Sequence, residues 1–229
     1  MTWTELAAAA HEGGEVALYL GEDGAYMIRA NGLELMNGRC HRSEDVLGAM
    51  AGALALKGGR KANPRVLIGG LGLGYTLAAA VRALGGVGRI TVAEISAAVI
   101  AWYRRYFEPA LFAGPPADLR LVHADVATLL REAGEGGYDA VVLDVDNGPR
   151  ALAAAGNDAL YGAAGLEALR SALAAEGVVL VWSGFEAPDF ARRAERAGFD
   201  VACDTVAIPD RPELFHYIYR LSKHLPRAE

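Results

Sequence analysis

Cysteine is nearly absent from this 229-residue chain, which has only Cys40 and Cys203. They lie far apart, without disulfide-framework or metal-ligand spacing, so both read as reduced thiols and no metal is expected. No apolar run approaches the roughly 18 residues that a membrane span requires. The opening Met1-Thr2-Trp3-Thr4-Glu5 lacks the basic stretch of a signal peptide. The expectation is a cytoplasmic protein with no membrane partner. Positive charge is also short: 22 Lys and Arg against 28 Asp and Glu leave a formal −6. That balance argues against an electrostatic grip on nucleic acid.

Apolar residues are plentiful at 53%, enough for a sheet covered on both faces. Residues 15–37 alternate and turn: 15–20, 25–29 and 33–36 read as short strands, with Asn31-Gly32 as a hairpin signal. A helix capped by Ser43 is expected over 44–57, and 57–64 reads as a linker. From Arg65 strands are expected near 65–69, 89–93, 119–123, 138–143 and 177–183. Helices are expected near 74–84, 96–107, 125–132, 158–174 and 187–197, and this alternation implies a parallel sheet. Residues 199–206 and 215–221 have no helix between them, so they should form an antiparallel hairpin. The expected fold is α/β, a doubly wound Rossmann-like domain over 65–229. A small β region plus helix precedes it over 1–60.

The stretch Arg65-Val66-Leu67-Ile68-Gly69-Gly70-Leu71-Gly72-Leu73-Gly74-Tyr75-Thr76-Leu77 reads as strand, tight turn and helix. Glycines 70, 72 and 74 permit a sharp turn and a close approach, and the following helix aims its amides at the same place. Glu94 ends the second strand, 20 residues beyond Gly74, where a carboxylate can take both hydroxyls of an adenosine ribose. Ile95 follows it. Asp125 comes after the third strand and Asp144 after the fourth. These acids at successive strand ends face the crevice where open α/β sheets bind ligands. Asp125 also suits a helix cap. A G-x-G-x-x-G fingerprint would need a glycine where Tyr75 stands, which disfavours a dinucleotide.

These residues resemble the spermidine synthase family, whose fold is that of the class I S-adenosylmethionine-dependent transferases. The match runs from about residue 14 to 221: the glycine loop, Glu94, Asp125 and the acidic Asp144-Val145-Asp146-Asn147-Gly148-Pro149 loop fall in order. The resemblance implies a seven-stranded, mostly parallel sheet ending in a hairpin. It implies that Glu94 binds ribose, and that Asp125 and the Val126 amide meet adenine. Gly70, Leu71, Gly72 and Gly74 would lie under the amino-acid portion and sugar. The co-substrate would be S-adenosylmethionine or its decarboxylated form, and the chain would pair as a homodimer through its N-terminal β region.

The departures from that family are specific. The loop aspartate that holds the aminopropyl ammonium is replaced by Leu73, and the proton-accepting aspartate by Asn147. An amide is not a general base. Ser43-Glu44-Asp45 stands where the family has Tyr-His-Glu. Methyl transfer to a small-molecule acceptor is therefore favoured over aminopropyl transfer, with a non-catalytic nucleoside binder as the third reading. Asp144, Asp146 and Asn147 are the candidate catalytic residues, although Asp146 also suits a turn. Asn157 and Asp158 suit a helix cap. Tyr161 and Trp182 are candidate acceptor contacts, each with packing as the alternative. His216 reads as structural, and His41, between Arg39 and Arg42, as a lid or a solvated loop.

Overall fold

The computed structural model of the chain describes residues 2–11, 14–57, 62–112, 118–145, 148–149, 160–209 and 211–224. Strands β1 (Trp3–His11), β2 (Gly14–Gly21), β3 (Tyr26–Ala30) and β4 (Leu33–Asn37) form a four-stranded antiparallel sheet in that order. The sequence predicts the last three. β1 has the composition Trp-Thr-Glu-Leu-Ala-Ala-Ala-Ala-His, with little β-branched character, and its pairing to β2 overrides the weak local preference. Asn31 and Gly32 both have positive φ, 50° and 77°, as the tight turn between β3 and β4 demands.

Helix α1 (Arg42–Lys57) follows. It begins before Ser43, so Ser43 lies inside the first turn and is not the expected cap. Its hydroxyl instead donates to Glu44 Oε2 at 2.5 Å and lies 2.8 Å from His216 Nδ1.

The second sheet contains β5 (Arg65–Gly69), β6 (Arg89–Glu94), β7 (Leu119–His123), β8 (Tyr138–Leu143), β9 (Leu173–Ser183), β10 (Phe199–Ile208) and β11 (Arg211–Lys223). Its order is β10-β11-β9-β8-β5-β6-β7. Strands β5 to β9 pair in parallel, and β11 lies antiparallel to both β9 and β10. This is the Rossmann-like arrangement ending in a hairpin that the sequence predicts.

The connecting helices are α2 (Tyr75–Leu84), α3 (Ala97–Trp102), α4 (Glu108–Leu111), α5 (Val126–Glu132), α6 (Ala163–Ala172) and α7 (Pro188–Arg196). The single helix expected over 96–107 is interrupted: Tyr103–Phe107 is a π turn, which carries the Tyr103 ring toward Gly74. The helix expected to run to 174 stops at Ala172, because Leu173 pairs with Tyr138 and is fully buried as the first residue of β9.

Two apolar layers cover the large sheet. Val66, Ile68, Val142, Leu180 and Ile218 face α1, α2 and α3, whereas Leu67, Val141, Leu143, Val179 and Val181 face α5, α6 and α7. Leu47, Ala51 and Ala55 anchor α1 in the first layer. Glycines 48 and 52 let α1 lie almost on the backbone of α2: a Cβ at Gly48 would stand 2.1 Å from the Thr76 carbonyl oxygen. This close crossing brings the start of α1 against the start of α2.

Gly→Ala inside a helix ordinarily stabilises by about 1 kcal/mol. Gly48→Ala should reverse that sign, because the obstacle is backbone and cannot rotate away. Urea unfolding should show a loss of roughly 2 kcal/mol or more.

Candidate functional site

The chain passes from β5 to α2 through Gly70-Leu71-Gly72-Leu73-Gly74. Gly70 has φ +89°, and a Cβ there would lie 2.1 Å from the Asp144 carbonyl oxygen. A Cβ on Gly72 would lie 2.2 Å from Met36 Sδ, contributed by β4 of the small sheet. The close approaches at these glycines are therefore made by the protein itself. Backbone bonds fix the loop: Gly70 N donates to Ala93 O at 2.9 Å, and Asp144 N to Gly69 O at 2.9 Å. Leu71 and Leu73 are buried, so Leu73 leaves no charge in the loop and turns its side chain into the core.

Glu94 closes the loop from the next strand. Its Oε2 accepts from Leu71 N at 3.0 Å and its Oε1 from Ser96 N at 2.9 Å. Each oxygen keeps a second lone pair, so a carboxylate aimed this way retains capacity for a pair of hydroxyls. Beside it Ile95 is 59% exposed, an apolar surface at the crevice, and its carbonyl lies 2.9 Å from His123 Nε2. Asp125 is the N-cap of α5, accepting from Ala127 N at 2.9 Å, so its expected capping role is realised. Val126 is buried with its side chain against Gly69.

Asp144 stands at the end of β8 and accepts from Thr76 Oγ1 at 2.7 Å. Burial, and then the negative field of Glu44, push its carboxyl up to about 7, against the smaller opposing effect of the Thr76 bond. Glu44 is 8% exposed, and its carboxyl is likewise raised, chiefly by burial, against the Ser43 bond. Two buried carboxyl groups thus lie near enough beside the glycine loop for the field of Glu44 to reach Asp144, a setting that favours a bound cation.

Around this pair, the His41 ring stacks on Tyr75 with centroids 3.9 Å apart, and its Nδ1 lies 2.7 Å from Asp45. Arg39 is drawn away to Asp23 and lies over the Trp3 ring. Trp182 is half-buried, 5.0 Å from the His216 ring, with its buried Nε1 lacking a partner among the described residues.

Tyr161 does not face the crevice. It is 1% exposed and packs edge-on against Phe190 beneath the opposite face of the sheet, because α6, which follows it, covers the same side as α7. Asp146, Asn147, Asn157 and Asp158 lie outside the described residues. The Ser43-Glu44 pair, Thr76 and His216 join the site only through the fold; the sequence separates these three places too widely for any spacing signal. Two grooves of about 310 and 410 Å³ lie instead at the far ends of the strands, around Val178 and Arg65. Among the described residues no group of three or more His, Cys, Asp or Glu is placed to hold a metal ion, and no helix is long and apolar enough to cross a membrane.

Three solved structures share this arrangement. The spermidine synthase of Thermotoga maritima superposes with a TM-score of 0.73 at 16% identity, over 97% of this chain and 74% of that one. The fold is that of the spermidine synthases. A spermidine synthase bound to the transition state analogue AdoDATO gives 0.71 at 16% identity, over 97% and 73% of the two chains. Human methyltransferase-like protein 13 in complex with SAH gives 0.56 at 18% identity, over 82% and 84%. No protein-family model matches the chain, and no curated protein matches it by sequence.

A carboxyl group whose folded pKa is raised contributes stability that is full below its unfolded value and lost as pH rises through the folded one. For Asp144 that window runs from the ordinary 3.8 to about 7. Urea unfolding should therefore show the parent losing stability between pH 5 and pH 8. Asp144→Asn should be flatter over that range and more stable at pH 8 by on the order of 2–4 kcal/mol.

Proposed function

We propose that this chain is a transferase that binds a sulfonium nucleoside of the S-adenosylmethionine class and moves an alkyl group to a small-molecule acceptor. The observation that carries the proposal is the row of acids at the carboxyl ends of β6, β7 and β8 around the glycine loop, with the buried Glu44 carboxyl near Asp144. In this reading Glu94 takes the ribose hydroxyls, Ile95 lies against the adenine, and Asp125 and the Val126 amide meet its edge. Gly70 to Gly74 underlie the sugar and amino-acid portion. Transfer from a sulfonium is an in-line displacement, so most of the rate comes from holding nucleophile and carbon in line. Asp144, fixed by Thr76, stands where the transferred group emerges.

Methyl is the transferred group we favour, because buried Leu73 removes the loop carboxylate that a decarboxylated donor's ammonium would need. A second reading, aminopropyl transfer, draws on the Glu44–Asp144 pair. Two neighbouring carboxyl groups supply next to the loop an anchor for a cation that the loop itself lacks, and spermidine synthases are among the structural neighbours.

Calorimetry with S-adenosylmethionine, its decarboxylated form and 5′-methylthioadenosine separates the readings. Tighter binding of the carboxylated donor supports methyl transfer, and tighter binding of the decarboxylated donor supports aminopropyl transfer. Binding without turnover of any amine, phenol or thiol supports a non-catalytic binder. Glu94→Ala leaves ribose hydroxyls and the Leu71 amide unpaired, so S-adenosylmethionine should bind about 1–3 kcal/mol more weakly. Unchanged affinity would refute the ribose role.

We further propose a homodimer joined through the small sheet, where Leu33 is 71% exposed, Leu35 42% and Leu6 37%. Light scattering at micromolar concentration should give twice the chain mass, and Leu33→Glu should shift it toward the monomer. A parent that scatters as a monomer would contradict this pairing.

A further inference from the structure

Strand β11 runs antiparallel past the carboxyl edge of the sheet. Ile218 pairs with Trp182, so His216 stands one step beyond that edge on the same face, with its ring 5.0 Å from the Trp182 ring. Leu143 pairs with Val181, which sets Asp144 and Trp182 side by side at the ends of β8 and β9. Asp144, Trp182 and His216 therefore form a row leading outward from the glycine loop, where an acceptor approaching the donor would lie.

The Ser43 hydroxyl has one hydrogen and two neighbours, Glu44 Oε2 at 2.5 Å and His216 Nδ1 at 2.8 Å. With that hydrogen given to the carboxylate, Nδ1 must be the donor to Ser43 Oγ. A neutral imidazole that carries its hydrogen on Nδ1 has a bare lone pair on Nε2. No described residue bonds Nε2, and burial lowers the ring's pKa, which keeps the ring neutral. The competing bases are weaker candidates. Asn147 is an amide, and one Asp144 oxygen is already engaged by the Thr76 hydroxyl.

We infer that His216 accepts the proton released by the acceptor nucleophile, with Ser43 and Glu44 as the positioning residues that fix its tautomer. This rests on the transferase reading above. The acceptor nitrogen's lone pair forms the new bond to the transferred carbon as the carbon–sulfur bond breaks. That bonding pair returns to sulfur, and the sulfonium becomes a neutral thioether. The nitrogen, now cationic, passes a proton to His216 Nε2. The imidazolium formed is balanced by Glu44 through Ser43, and the half-exposed ring then releases the proton to solvent. The same base would serve a hydroxyl or thiol acceptor. The Trp182 indole N–H, buried beside the ring without a partner among the described residues, is a donor for a second polar atom of the acceptor.

A long-range ¹H–¹⁵N spectrum of the full chain at pH 7.5 reads the tautomer directly. The expected result is a protonated Nδ1 and a bare Nε2 on His216. Ser43→Ala should return the ring to the Nε2–H form, and Ser43→Thr, which keeps the hydroxyl, should not. A parent ring with Nε2–H overturns the inference. In turnover of primary amines, phenols and thiols, His216→Gln should lose at least about 100-fold in kcat. Its Kd for S-adenosylmethionine should stay within about twofold of the parent's. Turnover equal to the parent's overturns the role of His216 alone, whereas a parent that binds neither donor overturns the transferase reading itself.

Discussion

The carboxyl edge of this protein is organised by the route the backbone takes from β5 to α2. Five residues must reverse direction, start a helix with no side-chain cap, and leave a crevice in front. Left-handed glycines make the turn possible, but bonds from neighbouring strands hold it. Glu94 grips the Leu71 amide, Ala93 the Gly70 amide, and Gly69 receives the Asp144 amide. These contacts lock the acids of β6 and β8 into one frame with the loop. Losing the loop geometry would therefore displace Glu94 and Asp144 together.

A second constraint sets what else reaches that frame. Because Gly48 and Gly52 let α1 lie on the backbone of α2, Glu44 is carried to the edge of the crevice with Ser43 beside it. The cost is two carboxyl groups in a poorly solvated place, each with its pKa raised by burial. Such an arrangement adds nothing to stability at neutral pH, since burial without a cation outweighs the single hydroxyl bond each carboxyl receives. It is understandable as an electrostatic socket, stabilised when a positive donor or acceptor group arrives. Active sites concentrate groups of this kind.

Local pattern made much of the fold legible in the sequence. The five core strands announced themselves as apolar runs, the glycine loop as a break between strand and helix, and Glu94, Asp125 and Asp144 by their places at strand ends. The exceptions share a cause. β1 is mostly alanine and becomes a strand only because β2 offers it a partner. Ser43 has the residue type of a cap, yet its hydroxyl donates to Glu44 and meets His216, 173 positions away. Tyr161 lies on the face away from the crevice because the helix that follows covers the other side of the sheet. His216 looked structural on an edge hairpin, and only the tertiary fold places it beside Trp182 and Ser43. Long-range pairing leaves no trace in spacing, so the acid pair and the Ser43–His216 contact were out of reach of the sequence.

The proposed chemistry depends on a nucleoside lying across the ends of β5, β6 and β7. Amide chemical-shift mapping with 5′-methylthioadenosine tests it most directly. The largest shifts are expected at Leu71, Gly72, Ser96 and Val126. No shifts, or shifts confined to the groove around Arg65 and Arg89 at the opposite end of the strands, would contradict it.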